Sequence, residues 1–173
     1  MIVCGDGAVG KTTLIHRYIA NKFKKSYTAT IGVDILSKSV EVNRDGTPFT
    51  VELNFWDMAG QEHFKLIRTK FYKQASSALL IFDVTSQKSF DTLENWIEES
   101  RNGIGHDIPY VMIGNKIDLG DKRVISKEQM QDMAKKLGIH LELIIETSAL
   151  SGEGVEQAFN HLANSIIDYH LSK

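Results

Sequence analysis

A single cysteine, Cys4, stands among the 173 residues, so no disulfide closes within the chain, and the composition fits a reducing compartment. No apolar run approaches the roughly 20 residues of a membrane-spanning helix. The opening MIVCGDG lacks a basic segment ahead of a long apolar core, so no secretory leader is expected. Met1 is not followed by the glycine that myristoylation needs. Neither sign of charge dominates: the net charge is −2, which leaves no electrostatic footprint for nucleic acid, and no such partner is expected. The six histidines lack metal-ligand spacing; His16 and His161 are expected as surface or boundary residues of helices. There is no internal repeat, low-complexity segment or linker, and one domain spanning residues 1–173 is expected.

Apolar spacing changes period along the chain, and with it the expected structure. Ile2, Val3 and Cys4 form a short apolar run, with Cys4 a small buried hydrophobe. Leu14, Ile15 and Tyr18 then recur at helical spacing within residues 11–20. Two extended runs flank the hairpin signal at residues 43–46, NRDG. In the second run Phe49, Val51, Leu53 and Phe55 alternate with Thr50, Glu52, Asn54 and Trp56, which predicts one buried and one open face, with Trp56 on the open one unless the segment after the strand covers it. Residues 78–84 and 110–114 are continuous apolar runs, as in strands covered on both sides. Phe90, Leu93 and Ile97 mark a helix. Residues 126–129, SKEQ, form a capping box before a helix that turns Met130, Met133 and Leu137 inward and stops at Gly138. Residues 141–145 are expected as the last strand. Val155, Ala158, Phe159, Leu162 and Ile166 stripe the last helix. Strands alternating with helices predict an α/β fold: a six-stranded, mostly parallel sheet with one antiparallel edge strand and helices on both faces.

One loop is built almost without side chains. Residues 5–13 read GDGAVGKTT, and Gly5-x-x-x-x-Gly10-Lys11-Thr12 sits between a strand and a helix, the context a phosphate-binding loop needs. Glycines let successive N–H groups turn inward around phosphate oxygens, and the helix N-terminus adds a positive dipole end. Gly5, Asp6, Gly7, Ala8, Val9, Gly10 and Thr13 frame the loop. Lys11 is placed to reach the outer phosphates, and the Thr12 hydroxyl suits Mg²⁺, a hard cation.

Three further signals follow in chain order. Asp57-Met58-Ala59-Gly60 ends the alternating strand; the carboxylate suits Mg²⁺ and the Gly60 N–H a terminal phosphate, although such a tetrapeptide is also an ordinary turn. Asn115-Lys116-Ile117-Asp118 follows a buried strand, where an Asx turn would read the same. A carboxylate at Asp118 accepts from both the N1–H and the N2 amine of guanine, whereas adenine would set a lone pair against it. Ser148-Ala149-Leu150, after the last strand, offers a backbone N–H to guanine O6. All four lie at strand C-terminal ends, where open α/β sheets bind ligands.

On GDGAVGKTT, TIGVD (30–34), WDMAGQE (56–62), NKID (115–118) and ETSAL (146–150), the chain resembles the small Ras-like GTPases over nearly its whole length, with the Rab branch most similar. The resemblance implies a P-loop NTPase fold, GTP and GDP as ligands, Mg²⁺ as cofactor and slow GTP hydrolysis as the off-step of a switch. It implies that Thr30 closes on Mg²⁺ and the γ-phosphate, that Phe23 packs beside the base, and that Gln61 orients the attacking water. It implies an exchange factor, a GTPase-activating protein and effectors, the last reading an apolar patch of Ile35, Trp56 and Phe71. A regulator of vesicle traffic or membrane identity is the reading this favours. Met58, Ile35, His63 and Leu150 depart from the usual Rab residues, Leu150 in the direction of the Rho branch, so Ras- or Rho-like signalling stays open beside it. A nucleotide-locked scaffold and an ATP-using P-loop enzyme stay open too; Gly7 and Gln61 argue against the first, and Asp118 against the second. Lys22, Lys24 and Lys25 form either a solvated loop or a contact to a partner or anionic lipid. Rab proteins carry a tail ending in prenylated cysteines, and the residues after the last helix here, Leu171, Ser172 and Lys173, include none. Cytoplasmic localisation is expected, with peripheral membrane association where such a tail follows.

Overall fold

The computed structural model describes residues 1–21, 30–44, 46–61 and 64–172. Phe23, the lysines at 22, 24 and 25, and His63 lie outside the described residues. The strands are β1 (Ile2–Cys4), β2 (Val33–Arg44), β3 (Thr47–Met58), β4 (Ala78–Asp83), β5 (Tyr110–Asn115) and β6 (Ile144–Thr147). They form one six-stranded sheet in the order β2-β3-β1-β4-β5-β6. Only β2 and β3 pair antiparallel, from Val33 opposite Met58 to Arg44 opposite Thr47. Short as it is, β1 is central: Val3 pairs with Asp57 on one side and Leu79 on the other. Its side chains are buried on both faces.

The period-2 split of the strands builds two apolar layers. Val3, Leu79, Ile81, Val111 and Ile113 face α1 (Lys11–Ala20) and α6 (Val155–Leu171), meeting Leu14, Ile15, Phe159 and Leu162. Ile2, Cys4, Leu80, Phe82 and Met112 face the opposite layer, which contains α2 (Lys65–Tyr72), α4 (Leu93–Ile104) and α5 (Lys127–Leu137). Burial pushes the Cys4 thiol up to about 12, which makes it an inert core group.

Local expectations hold where short-range chemistry decides them. The capping box is reciprocal: the Gln129 N–H donates to Ser126 Oγ at 3.2 Å, and the Ser126 N–H to Gln129 Oε1 at 2.8 Å. Gly138 ends α5 at φ 68°, where a Cβ would be strained. Three expectations need correction. The last strand spans Ile144–Thr147, because Leu141–Leu143 forms a 3₁₀ turn closed by the Leu143 N–H on the His140 carbonyl at 2.9 Å. The helix around Phe90 is two segments, α3 (Gln87–Asp91) and α4, interrupted at Thr92, whose hydroxyl proton is shared between the Ser89 carbonyl at 3.1 Å and Asp6 Oδ1 at 3.0 Å. Trp56 is half-buried, not open: Phe71 of α2 packs edge-on against it, with centroids 5.3 Å apart at 77°.

Candidate nucleotide-binding site

The five parallel-paired strands end on one edge of the sheet, and the loops leaving them converge there. The loop after β1 carries left-handed backbone at Gly5 (φ 142°), Ala8 (φ 66°) and Gly10 (φ 99°). A Cβ on Gly5 would stand 2.1 Å from the Ile81 carbonyl oxygen, and one on Gly10 would stand 2.4 Å from Asn115 Nδ2. The glycines thus let the loop lie directly on β4 and β5. Asp6 pins the loop from outside, accepting from Trp96 Nε1 at 2.8 Å and Thr92 Oγ1 at 3.0 Å. At the start of α1, Lys11 is buried and folds back, its Nζ donating to the Gly5 and Asp6 carbonyls at 2.7 and 2.8 Å. Burial lowers its pKa to about 8. A buried ammonium held by carbonyl dipoles is suited to an anion.

Thr12, Thr30 and Asp57 come from three separate segments and meet. Thr12 Oγ1 lies 2.8 Å from Thr30 Oγ1 and donates to Asp57 Oδ2. Asp57 is fully buried and its Oδ1 has no hydrogen-bond partner; burial pushes its carboxyl above the usual range. Two hydroxyls and an orphaned buried carboxylate oxygen are a hard-oxygen set, and they fit Mg²⁺. Among the described residues no group of three His, Cys, Asp or Glu side chains is placed to hold a metal ion.

Gly60 lies against the loop: a Cβ there would come within 2.5 Å of the Gly5 carbonyl oxygen and 2.7 Å of the Gly7 nitrogen. Next to it, Gln61 Oε1 is buried without a partner. A buried acceptor of this kind carries a desolvation cost unless a donor such as water meets it. The Ala59 N–H donates to the Gly32 carbonyl at 3.0 Å, tying the segment after β3 to the one before β2.

The other end of the site is a hydrogen-bonded clasp. Asn115, buried at the end of β5, donates to the Val9 carbonyl at 2.9 Å and accepts from Thr147 Oγ1 at 3.0 Å and the Ala149 N–H at 3.3 Å. Lys116 sits at φ 71°. Its Nζ donates to the Ala8 carbonyl at 2.7 Å and pairs with Asp83 Oδ2 at 2.6 Å. Asp118 is exposed and accepts from Ser148 Oγ at 2.6 Å, which leaves the rest of its carboxylate facing outward. Leu150 is half-exposed beside it.

Two groups escaped the sequence reading. Asp83 ends a strand otherwise apolar; burial works against its charge, but the bond from Lys116 and those from Thr85 win, and its carboxyl sits below the usual range. The charge itself, closing an apolar run, was the available signal. Arg68 is 1% exposed and bonds to Glu99 and to the backbone beside Gln61; nothing in a helix of mixed polarity marks it as buried. On the outer surface, Ile35 faces Trp56 across the β2–β3 ladder and is 58% exposed, and Ile31 and Leu66 are more exposed still, at 85% and 80%.

A sequence model of the Ras family matches residues 1–168. The Ras-related protein Rab-8B of Homo sapiens is 38% identical over 167 residues, covering 96% of this chain and 77% of that protein. Rab-27B of Bos taurus is 39% identical over 174 residues, covering 96% and 78%. Rab-13 of Mesocricetus auratus is 37% identical over 167 residues, covering 96% and 79%.

Proposed function

This chain belongs to the Ras family of small GTPases, and from that membership we propose a Rab-like switch in which Thr12, Thr30 and Asp57 hold Mg²⁺, Gln61 orients water and Asp118 selects guanine. The family binds GTP and GDP and hydrolyses GTP. The meeting of Thr12, Thr30 and Asp57, with one carboxylate oxygen left over, carries the reading. In it residues 1–173 work as one GTPase domain.

Phosphoryl transfer asks the protein for position and charge rather than covalent chemistry. The N–H groups of the loop from Gly5 to Thr13 and the Lys11 ammonium take the phosphate charge. Thr12, Thr30 and Asp57 would hold Mg²⁺, which when bound would supply positive charge against the phosphate oxygens. The Gly60 N–H, held against the loop, meets the γ-phosphate, and Gln61 Oε1 accepts from a water in line with it. Thr30 and Gly60 stay in place while the γ-phosphate is present, so hydrolysis releases both segments. At the base, Asp118 reads the guanine edge, the N–H groups near Ala149 meet O6, and Phe23 packs alongside.

Ras-family switches work with exchange factors, activating proteins and effectors. Ile35, Trp56 and Phe71 form the effector surface in this reading, supported by the contiguous packing of Trp56 on Phe71 beside exposed Ile35. Vesicle traffic is the process the Rab relatives favour. Among the described residues no helix is long and apolar enough to cross a membrane. From the likeness to Rab proteins we place the protein in the cytoplasm, peripheral on membranes where a lipidated tail follows.

Replacing the metal hydroxyl tests the reading. Thr12→Asn is expected to weaken GTP more than GDP, because the cation that Thr12 would help hold would offset the added charge of the third phosphate. Titration of both nucleotides with and without Mg²⁺ measures this, and equal losses would contradict the role.

A further inference from the structure

The segment that carries Gln61 is gripped from behind. Arg68, on α2, has its guanidinium wholly inside the protein. One edge, Nε and Nη2, donates to the two oxygens of Glu99 at 3.0 and 3.2 Å. The opposite side, Nη1, donates to the carbonyls of Ala59 and Gln61 at 3.1 and 2.8 Å. These two carbonyls flank Gly60. The group is thus fixed against α4 on one side and holds the backbone on both sides of the γ-phosphate contact on the other.

The side chains that brace this guanidinium from behind belong to one face of α4 and its N-cap, Thr92. Thr92, Trp96, Glu99 and Gly103 recur at spacings of four, three and four, one helical stripe. Trp96 stacks under the guanidinium, with Cζ 4.5 Å from the ring centroid, while its Nε1 and Thr92 Oγ1 hold Asp6 of the phosphate loop. Glu99 also accepts from Tyr72 Oη at 2.6 Å. A Cβ on Gly103 would meet the Tyr72 ring at 2.3 Å, so the glycine allows α2 to dock this closely. One stripe therefore sets the phosphate loop and the Gln61 segment in a single register.

We propose that Arg68 is a positioning residue for Gln61, held by Glu99 and Trp96, and that intrinsic hydrolysis depends on this clamp rather than on the placement of Gln61 by its own loop. The inference rests on the role given to Gln61 above. A flat fork is required: a lysine at this position reaches one carbonyl or the carboxylate, not both sides at once. Displacement by about 1 Å of a catalytic group is enough to cost about 100-fold in rate.

A double-mutant cycle on the intact protein tests it, read by single-turnover phosphate release and by GDP affinity. Arg68→Ala is expected to slow release by about 10- to 100-fold while GDP affinity stays within about twofold. In the Gln61→Leu background the same change is expected to have no further effect beyond about twofold, since the two residues act as one unit. Arg68→Lys and Glu99→Gln should fall between wild type and Arg68→Ala, and they carry the same cycle should Arg68→Ala fail to fold. A purely structural role would slow both backgrounds alike, which would overturn the proposal. So would wild-type rates in the folded Arg68 and Glu99 variants beside a slowed Gln61→Leu. An unchanged rate in Gln61→Leu alone would instead remove the role of Gln61, and the clamp with it.

Discussion

Without a partner, the protein is expected to turn over bound GTP at about 10⁻⁴ to 10⁻³ s⁻¹, the scale set by a family site that lacks a catalytic arginine. Residues 21–33 contain Lys22, Lys24 and Lys25 but no arginine, and an ammonium is a point charge that does not reproduce the guanidinium fork. Arg68 is the nearest candidate downstream of Gln61, and its donors are already committed to Glu99, Ala59 and Gln61. The missing cation must therefore come from outside, and an activating protein that inserts an arginine is expected to raise the rate by about 10³–10⁵. Gln61→Leu is expected to slow the intrinsic reaction further and leave GTP bound. Single-turnover phosphate release measures all three. An isolated rate of about 1 s⁻¹, the range reached with an activating partner, would mean that a catalytic cation is already present in the chain.

Asp118→Asn is expected to lower guanine affinity by about 10⁴ or more, the discrimination of a site built to hydrogen-bond one ligand edge against an edge that does not match it. Guanine presents two donors on the edge that the proposed site turns to Asp118; asparagine offers a donor where that reading needs an acceptor. Xanthine carries an oxygen at C2, so the variant is expected to gain xanthosine triphosphate. The substitution is close to isosteric, and the Ser148 hydroxyl that donates to Asp118 at 2.6 Å can still donate to the amide oxygen. Loss of the base is thereby separated from loss of the fold. Competition between GTP and xanthosine triphosphate on the variant decides it, and unchanged GTP binding would contradict the reading of Asp118.

Features decided within a few residues were legible before any coordinates. The capping box at Ser126 and Gln129, the alternation along β3 from Phe49 to Phe55 and the left-handed turns of the glycine loop are each local, and each is present. The convergence of the candidate site's loops was legible because they leave strand ends, and a parallel sheet gathers such ends on one edge. What escaped was decided by contacts distant in sequence. Arg68 and Glu99 are 31 residues apart, and either alone reads as a charge on a helix surface. Only the docking of α2 on α4, permitted by Gly103, turns them into a buried pair. The strand face of Trp56 left two readings, an open ring or one covered by the following segment, and the Phe71 ring that decides between them lies on another element. At Leu141–Leu143 apolar residues suggested a strand, while a 3₁₀ turn needed only one local bond to displace it.

The central claim is that the γ-phosphate holds the segments of Thr30 and Gly60 closed. Amide hydrogen exchange on the Mg²⁺ complexes with GDP and with a non-hydrolysable GTP analogue tests it most directly. Exchange at Thr30, Ile31, Ala59, Gly60 and Gln61 is expected to be slow with the analogue and fast with GDP, while β4 and β5 stay equally protected in both. Identical exchange at those five residues in the two complexes would contradict a switch driven by the γ-phosphate.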